Sequence, residues 1–237
     1  MPKADAFTAA AVAESTELTN TQLTTGVASG TAGEVGIMAT ITDVLEVSDI
    51  AAAHGARIKQ LGRSIADKMD VDVCALMSGF TSAVGSTTVD LSLANILSAI
   101  YTLEAANAPK PYVGVLHPVQ ISDIRTALEN NANAPFRSSG IRAGTNELGP
   151  TAAPGFAGEW FGLPLYFSTN VPTANAGADR AGGIFSVNYA LGWVDKWASK
   201  IVPMYWPPLR AWVLVATANY GVFEIEDAAG VEVTTDA

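Results

Sequence analysis

The stretch "KPYVGVLHPVQISDIRTAL", residues 110–128, decides how the chain is read. A short apolar strand, Tyr112 to Leu116, runs into His117-Pro118 and then into a helix with Ile121, Ile124 and Leu128 on one face. Pro118 suits a first helical turn, where a missing N–H costs nothing. A strand end held by a rigid scaffold is a common place for a catalytic side chain. His117 is therefore either chemistry or architecture, and the rest of the chain has to settle which.

Working outward, the flanking elements mix helices and strands without strict alternation, which makes the fold class α+β. Upstream, "QLTTGV" places Leu23, Thr25 and Val27 on one face of a strand. After the turn-rich "ASGTAG", Val35, Ile37, Ala39 and Ile41 alternate again. Two such runs around a glycine turn predict a β-hairpin over 21–41. A lone hairpin is marginal in water, so its apolar face needs a partner. Residues 1–20 are small and polar, an arm ordered only by contact with something else.

From about Val44 to Met69 the spacing predicts one long helix. Ile58, Leu61, Ile65 and Met69 recur at steps of three and four and give it one buried stripe. Asp90 or Ser92 caps the next helix, with Leu93, Ile96, Leu97, Ile100 and Leu103 as its stripe and "NAP" (107–109) as its stop. Residues 131–160 read as loop throughout, a length associated with function or with an interface. Strands follow at 163–168 and 182–187, then an aromatic segment, then β-rich runs to the end.

The chain has 237 residues, 49% apolar and only 15% charged. That charge fraction is low beside the roughly 25% of ordinary globular domains, as if neighbours cover part of the surface. Net charge is −10, with 13 basic against 23 acidic residues. Gripping nucleic acid by its phosphates needs the opposite balance. A single cysteine allows no internal disulfide. The apolar run "AWVLVATA" (211–218) is far too short for a membrane helix. The N-terminus lacks the apolar centre of a secretory signal.

Chemical signals are scarce. Two histidines and one cysteine, far apart, make no metal cluster. "GTAGEVG" (30–36) has phosphate-loop glycines but leads into a strand with no lysine nearby, so it reads as a hairpin turn. No nucleophile elbow is present. Cys74 sits on an apolar helical face with no basic neighbour to activate it. Asp70 and Asp72, two apart, point to different sides of a helix, and His54 lies in a polar stretch. His117 has no nucleophile or orienting carboxylate identifiable beside it. No catalytic residue, cofactor or metal is assigned.

Two segments carry a family resemblance. "VGVLHPVQISDIR" (113–125) and "FGLPLYFSTNVP" (161–172), with the upstream "ITDVLEVSDIAAAHGARIKQLGRSIADKMD", resemble the major capsid protein of tailed bacteriophages, the Hong Kong 97 fold, which encapsulin shells share. The resemblance implies an N-arm at 1–20 and an extended hairpin, or E-loop, at 21–41 that lays Leu23, Val27, Val35, Ile37 and Ile41 on a neighbouring subunit. It implies a peripheral domain at 42–89 built on the long spine helix, an axial domain at 90–190, and return strands at 191–237. It implies copies of the chain as main partner, in pentamers and hexamers, with portal, scaffold and decoration proteins as further candidates. The shell would enclose double-stranded DNA in the virion after synthesis in host cytoplasm. The chain starts at Met1 without a long helical scaffolding segment, implying a separate scaffold or none. In this frame His117 is a turn residue. An encapsulin compartment and, in another class, a small-molecule enzyme using His117 under a 131–160 lid are the alternatives.

Overall fold

A computed structural model describes residues 2–4, 25–48, 52–130, 155–174 and 177–236. Besides one two-stranded pairing, two larger sheets, each backed by helix, share the chain, and a long helix, α2 (Ala52–Ala75), links them. The first has three strands in the order β10 (Leu191–Trp206), β11 (Ala211–Glu224), β3 (Gly33–Thr42), all antiparallel. The second has seven, in the order β4 (Ala83–Gly85), β12 (Gly230–Asp236), β9 (Asp179–Ser186), β5 (Tyr112–Leu116), β7 (Leu163–Phe167), β6 (Phe156–Trp160), with β8 (Thr173–Ala174) also on β9.

The long helix is described as two stretches, α1 (Asp43–Ser48) and α2 (Ala52–Ala75), and α2 runs six residues past the expected end at Met69. Leu61 and Ile65 are buried against Ile41, Leu214, Ala216, Ala218 and Tyr220, with Met69 packed beside them. Ile58, expected in the same stripe, is 41% exposed, because it lies a turn before the buried cluster begins. At its other end α2 passes Cys74 into a 3-10 turn with Met77 and Phe80, which pack with Ala190 and Ala229. Gly230 allows this junction, since a Cβ there would collide with the Phe80 ring.

The main core lies between the seven-stranded sheet, α3 (Leu93–Ala105) and α4 (Pro118–Asn130): Ile96, Leu103, Leu116, Ile121, Ile124, Leu165, Ile184 and Val233 are at most 2% exposed. Ser92 is the residue that caps α3, its side chain accepting from the Asn95 N–H. The α3 stripe is rotated from the expected one: Ile96, Ala99 and Leu103 are buried while Leu97 is 46% exposed. The helix's apolar content is broader than the face the sheet can cover.

Three further expectations change. The 21–41 hairpin does not pair with itself among the described residues. β2 (Thr25–Val27) pairs with β1 (Pro2–Ala4), and β3 pairs along its whole length with β11. Leu23 and the 1–20 arm beyond β1 lie outside the described residues, as do 131–154. Within the stretch expected to be all loop, Phe156–Trp160 is a strand on β7. The seven-stranded sheet also takes β4 from the stretch 42–89, and it takes β12 from the return strands at 191–237, which the resemblance divides between the peripheral and axial domains.

Candidate assembly surface

The strand–helix unit holds His117 and answers for its role. The His117 carbonyl accepts the first helical bond of α4, from the Ile121 N–H at 3.2 Å. The ring Nδ1 accepts from the Val119 N–H at 3.3 Å, and the Gln120 Oε1 accepts from the His117 backbone N–H at 2.9 Å. This is a variant of the reciprocal capping box, written as H-P-V-Q, in which the N-cap ring accepts from the second helical N–H and the third residue returns a bond to the N-cap N–H. Burial, then the nearby Arg180 charge, holds the ring's pKa below the ordinary histidine value. A ring nitrogen engaged in capping is not a free general base.

Gln120 is the residue that sequence reading missed. It is fully buried, and its Nε2 donates to the Thr235 hydroxyl (2.9 Å), the Val233 carbonyl (3.1 Å) and the Arg180 carbonyl (3.4 Å). One amide thus ties α4 to β9 and β12. Gly182 makes room, since a Cβ there would sit 2.8 Å from Gln120 Oε1. The spacing H-x-x-Q at a helix start was the available signal.

The other residues with polar chemistry are also structural. Asp70 accepts from Ser168 Oγ (2.5 Å) and Asn170 Nδ2 (2.8 Å), fastening α2 to the segment after β7. Asp72, on another side, accepts from Lys68 (2.5 Å) and from the Tyr220 hydroxyl (2.7 Å) on β11. Burial alone would raise the Asp72 pKa, but the bonds from Lys68 and Tyr220 outweigh it and leave it lowered. Tyr220 in turn stacks on Trp193 at 4.9 Å. Cys74 is 1% exposed, and burial, then the Asp70 charge, pushes its thiol up to about 11. Among the described residues no group of three or more His, Cys, Asp or Glu is placed to hold a metal.

The surface carries a further feature. Large hydrophobic side chains left exposed among the described residues number 23, and 13 of them fall within 33–48 or 191–212. Register places them. Leu214, Ala216, Ala218 and Tyr220 of β11 point toward α2. Alternation then sends Val213 and Val215 of β11, Val202, Met204 and Trp206 of β10, and Met38 of β3 to the opposite face. That face is covered only along its centre, where Val213 is buried, and is open along its flanks: Met38 is 65%, Val202 51%, Met204 47% and Trp206 46% exposed. The hairpin tip adds Leu209, and α1 adds Val44 and Val47, held there by Asp43, whose N–H donates to the Arg210 carbonyl and whose carboxylate accepts from Tyr205.

Of the five residues expected to lie on a neighbour, Ile41 is 1% exposed and Val35 packs beside it, both in their own subunit's core under α2. They alternate onto the α2 side of β3. Ile37 is 40% exposed and Val27 75%.

An apolar sheet face left open to this degree marks a place for another molecule to bind, and comparison with solved structures identifies the fold that carries it. The structure is similar over 99% of its length to the capsid of cyanophage P-SCSP1u (82% of that chain, 15% identity, TM-score 0.68). It is similar over 100% of its length to a chain of Gordonia phage Cozz (81% of that chain, 13% identity, TM-score 0.71). This is a phage-capsid fold. The same capsid fold extends to the holo-SrpI encapsulin complex of Synechococcus elongatus, matched over 91% of this chain and 75% of that one (11% identity, TM-score 0.60). No family model and no curated protein matches the chain by sequence. The capsid fold is kept here with few identical residues, and both "VGVLHPVQISDIR" and "FGLPLYFSTNVP" fall in its seven-stranded sheet and α4.

Proposed function

We propose that this chain is the shell-forming subunit of an icosahedral phage head, a structural protein whose principal partner is further copies of itself. The observation that carries the reading is the open apolar face of the β10–β11–β3 sheet on a chain that has the capsid fold along its whole length. Contiguous apolar surface beyond a few hundred Å² marks an interaction site rather than a monomer's exterior.

In this reading α2 is the spine helix of a peripheral domain that includes the three-stranded sheet. The seven-stranded sheet with α3 and α4 is the core of the axial domain, and the segment leading into β3 is the E-loop. Pentamers and hexamers close the shell, with portal, scaffold and decoration proteins as outside partners and the virion as location. The engagement of His117 in capping supports a chain without catalytic function. A net charge of −10 suits a wall that contains double-stranded DNA without gripping it.

Sedimentation of the purified protein, alone and co-expressed with its gene neighbours, tests this. Pentamers, hexamers or particles are expected, and a monomer under every condition overturns it. The second reading, an encapsulin compartment, is favoured by the SrpI likeness. Particles from the native source that hold protein cargo in place of DNA would select it.

A further inference from the structure

The cap of α4 is built from a side chain that titrates near neutrality, and the way it is wired leaves one protonation state compatible with the fold. The Val119 N–H points at Nδ1 at 3.3 Å, so Nδ1 must carry its lone pair and the proton must sit on Nε2. Asn, Asp, Ser and Thr, the usual caps, offer an acceptor whose role does not change with mild acid. Pro118 at the first helical position has no N–H to offer instead. The Gln120 Oε1 already holds the His117 backbone N–H, which fixes the ring's attachment point.

We infer that His117 makes the N-terminus of α4 an acid-sensitive joint: protonation of Nδ1 turns the acceptor into a donor, expels the Val119 N–H, and loosens α4 from β9 and β12. The charged surroundings favour this sense. Arg180 on β9 is the charged group acting on the ring, and a second cation beside it is disfavoured. The carboxylates on the surrounding elements do not offset this: Asp123 of α4 feels Asp90 and Asp236 of β12, not the ring, while Asp179 on β9 is 2% exposed and faces the other side of its strand from Arg180. Gln120 lies within one turn of the ring and is bonded to Arg180, Val233 and Thr235, so a disturbed cap reaches both strands. The inference stands on the cap geometry and does not depend on the shell reading.

The sign follows from linkage. A base whose folded pKa lies below its unfolded value of roughly 6.5 gives its full stability above that pH, and loses it as pH falls through the folded pKa. The test compares the full chain with His117→Asn, and with His117→Ser should the first variant fail to fold. Folding constants from urea denaturation are measured between pH 8 and pH 5. At pH 8 the asparagine variant should match the native chain closely. Below about pH 6.5 the native-to-variant ratio should fall by up to tenfold per pH unit until the ring is charged in both states, one proton being the most that is exchanged. Carboxylates common to both chains cancel in the ratio. A ratio independent of pH overturns the inference. A second readout needs no substitution at the site. In the ¹⁵N-histidine solid-state spectrum of His54→Gln, which leaves His117 as the one histidine, the Nε2–H tautomer is expected at pH 8. An Nδ1–H tautomer, or a ring charged already at pH 7, overturns it.

Discussion

Replacing Gln120 with methionine keeps the length and approximate volume of the side chain and deletes only its amide. Four bonds go with it: the one accepted from the His117 N–H and the three donated to Thr235, Val233 and Arg180. The Val233 and Arg180 carbonyls lie in paired strands and have a second lone pair, so they lose least. The Thr235 hydroxyl, fully buried, loses a partner no water can replace, and the half-buried His117 N–H loses one in a setting that water reaches poorly. At about 1–3 kcal/mol per orphaned buried group the cost is about 3–5 kcal/mol, a large share of a typical 5–15. For a chain of this size that lowers the melting temperature by about 10 °C. Urea denaturation followed by tryptophan fluorescence should show an earlier midpoint with unchanged slope. Gln120→Glu sharpens the test. Its carboxylate can still accept from the His117 N–H but faces two carbonyls where an NH₂ stood, so its folded pKa must rise. A carboxyl with a raised pKa is stabilising below its unfolded pKa and loses that contribution as pH rises through the folded value. The glutamate variant should therefore approach the native chain in acid and fall away above it. A methionine variant within about 0.5 kcal/mol of the native chain, or a glutamate variant that is worse in acid, would refute the reasoning.

Leu61→Asp places an unpaired charge in the α2 core, a penalty of several kcal/mol, and should yield insoluble protein; a soluble, cooperatively unfolding variant would contradict the packing of α2 on β11. Met204→Ser combined with Trp206→Ser, at half-exposed positions, should cost about 1 kcal/mol or less of subunit stability yet shift sedimentation from particles to small species, and unchanged particles would contradict the role given to that face. Because burial pushes the Cys74 thiol up to about 11, the native protein should react with iodoacetamide at pH 8 far more slowly than the urea-unfolded chain, and equal rates would contradict its burial. Asp123 has its pKa raised by burial first and then by the Asp90 charge, so its contribution is present in acid and lost as pH rises. Asp123→Asn should match the native chain near pH 3 and melt higher near pH 8, by under about 1 kcal/mol given its solvent access; a variant less stable at pH 8 contradicts the assignment.

How much of this was legible in the sequence depended on distance along the chain. The β5–α4 unit, α3 with its Ser92 cap, and the Leu61–Ile65 stripe of α2 are local patterns, and each could be read from spacing. β3 was readable as a strand, but its partner was not. Proximity pointed to residues 22–27, whereas the structure gives it β11, far along the chain (Thr42 pairs with Ala211 and Gly33 with Tyr220), and alternation then turns Val35 and Ile41 inward onto α2. β6 was lost because Gly155 and Gly158 and a register shift at Phe156–Gly158 erase the period of a five-residue strand. In β10, irregularities between Asp195 and Lys200 break the alternation that would have separated the open face from the covered one. Gln120 hid in plain view, since a polar residue early in an amphipathic helix ordinarily faces water.

Cryo-electron microscopy of the purified assembly tests the central claim most directly. The account predicts closed icosahedral shells in which the Val202, Met204, Trp206 and Met38 face of the three-stranded sheet is buried between subunits while α2 covers the other side. A protein that forms no closed particles, or particles in which that face lies open to solvent, would contradict it.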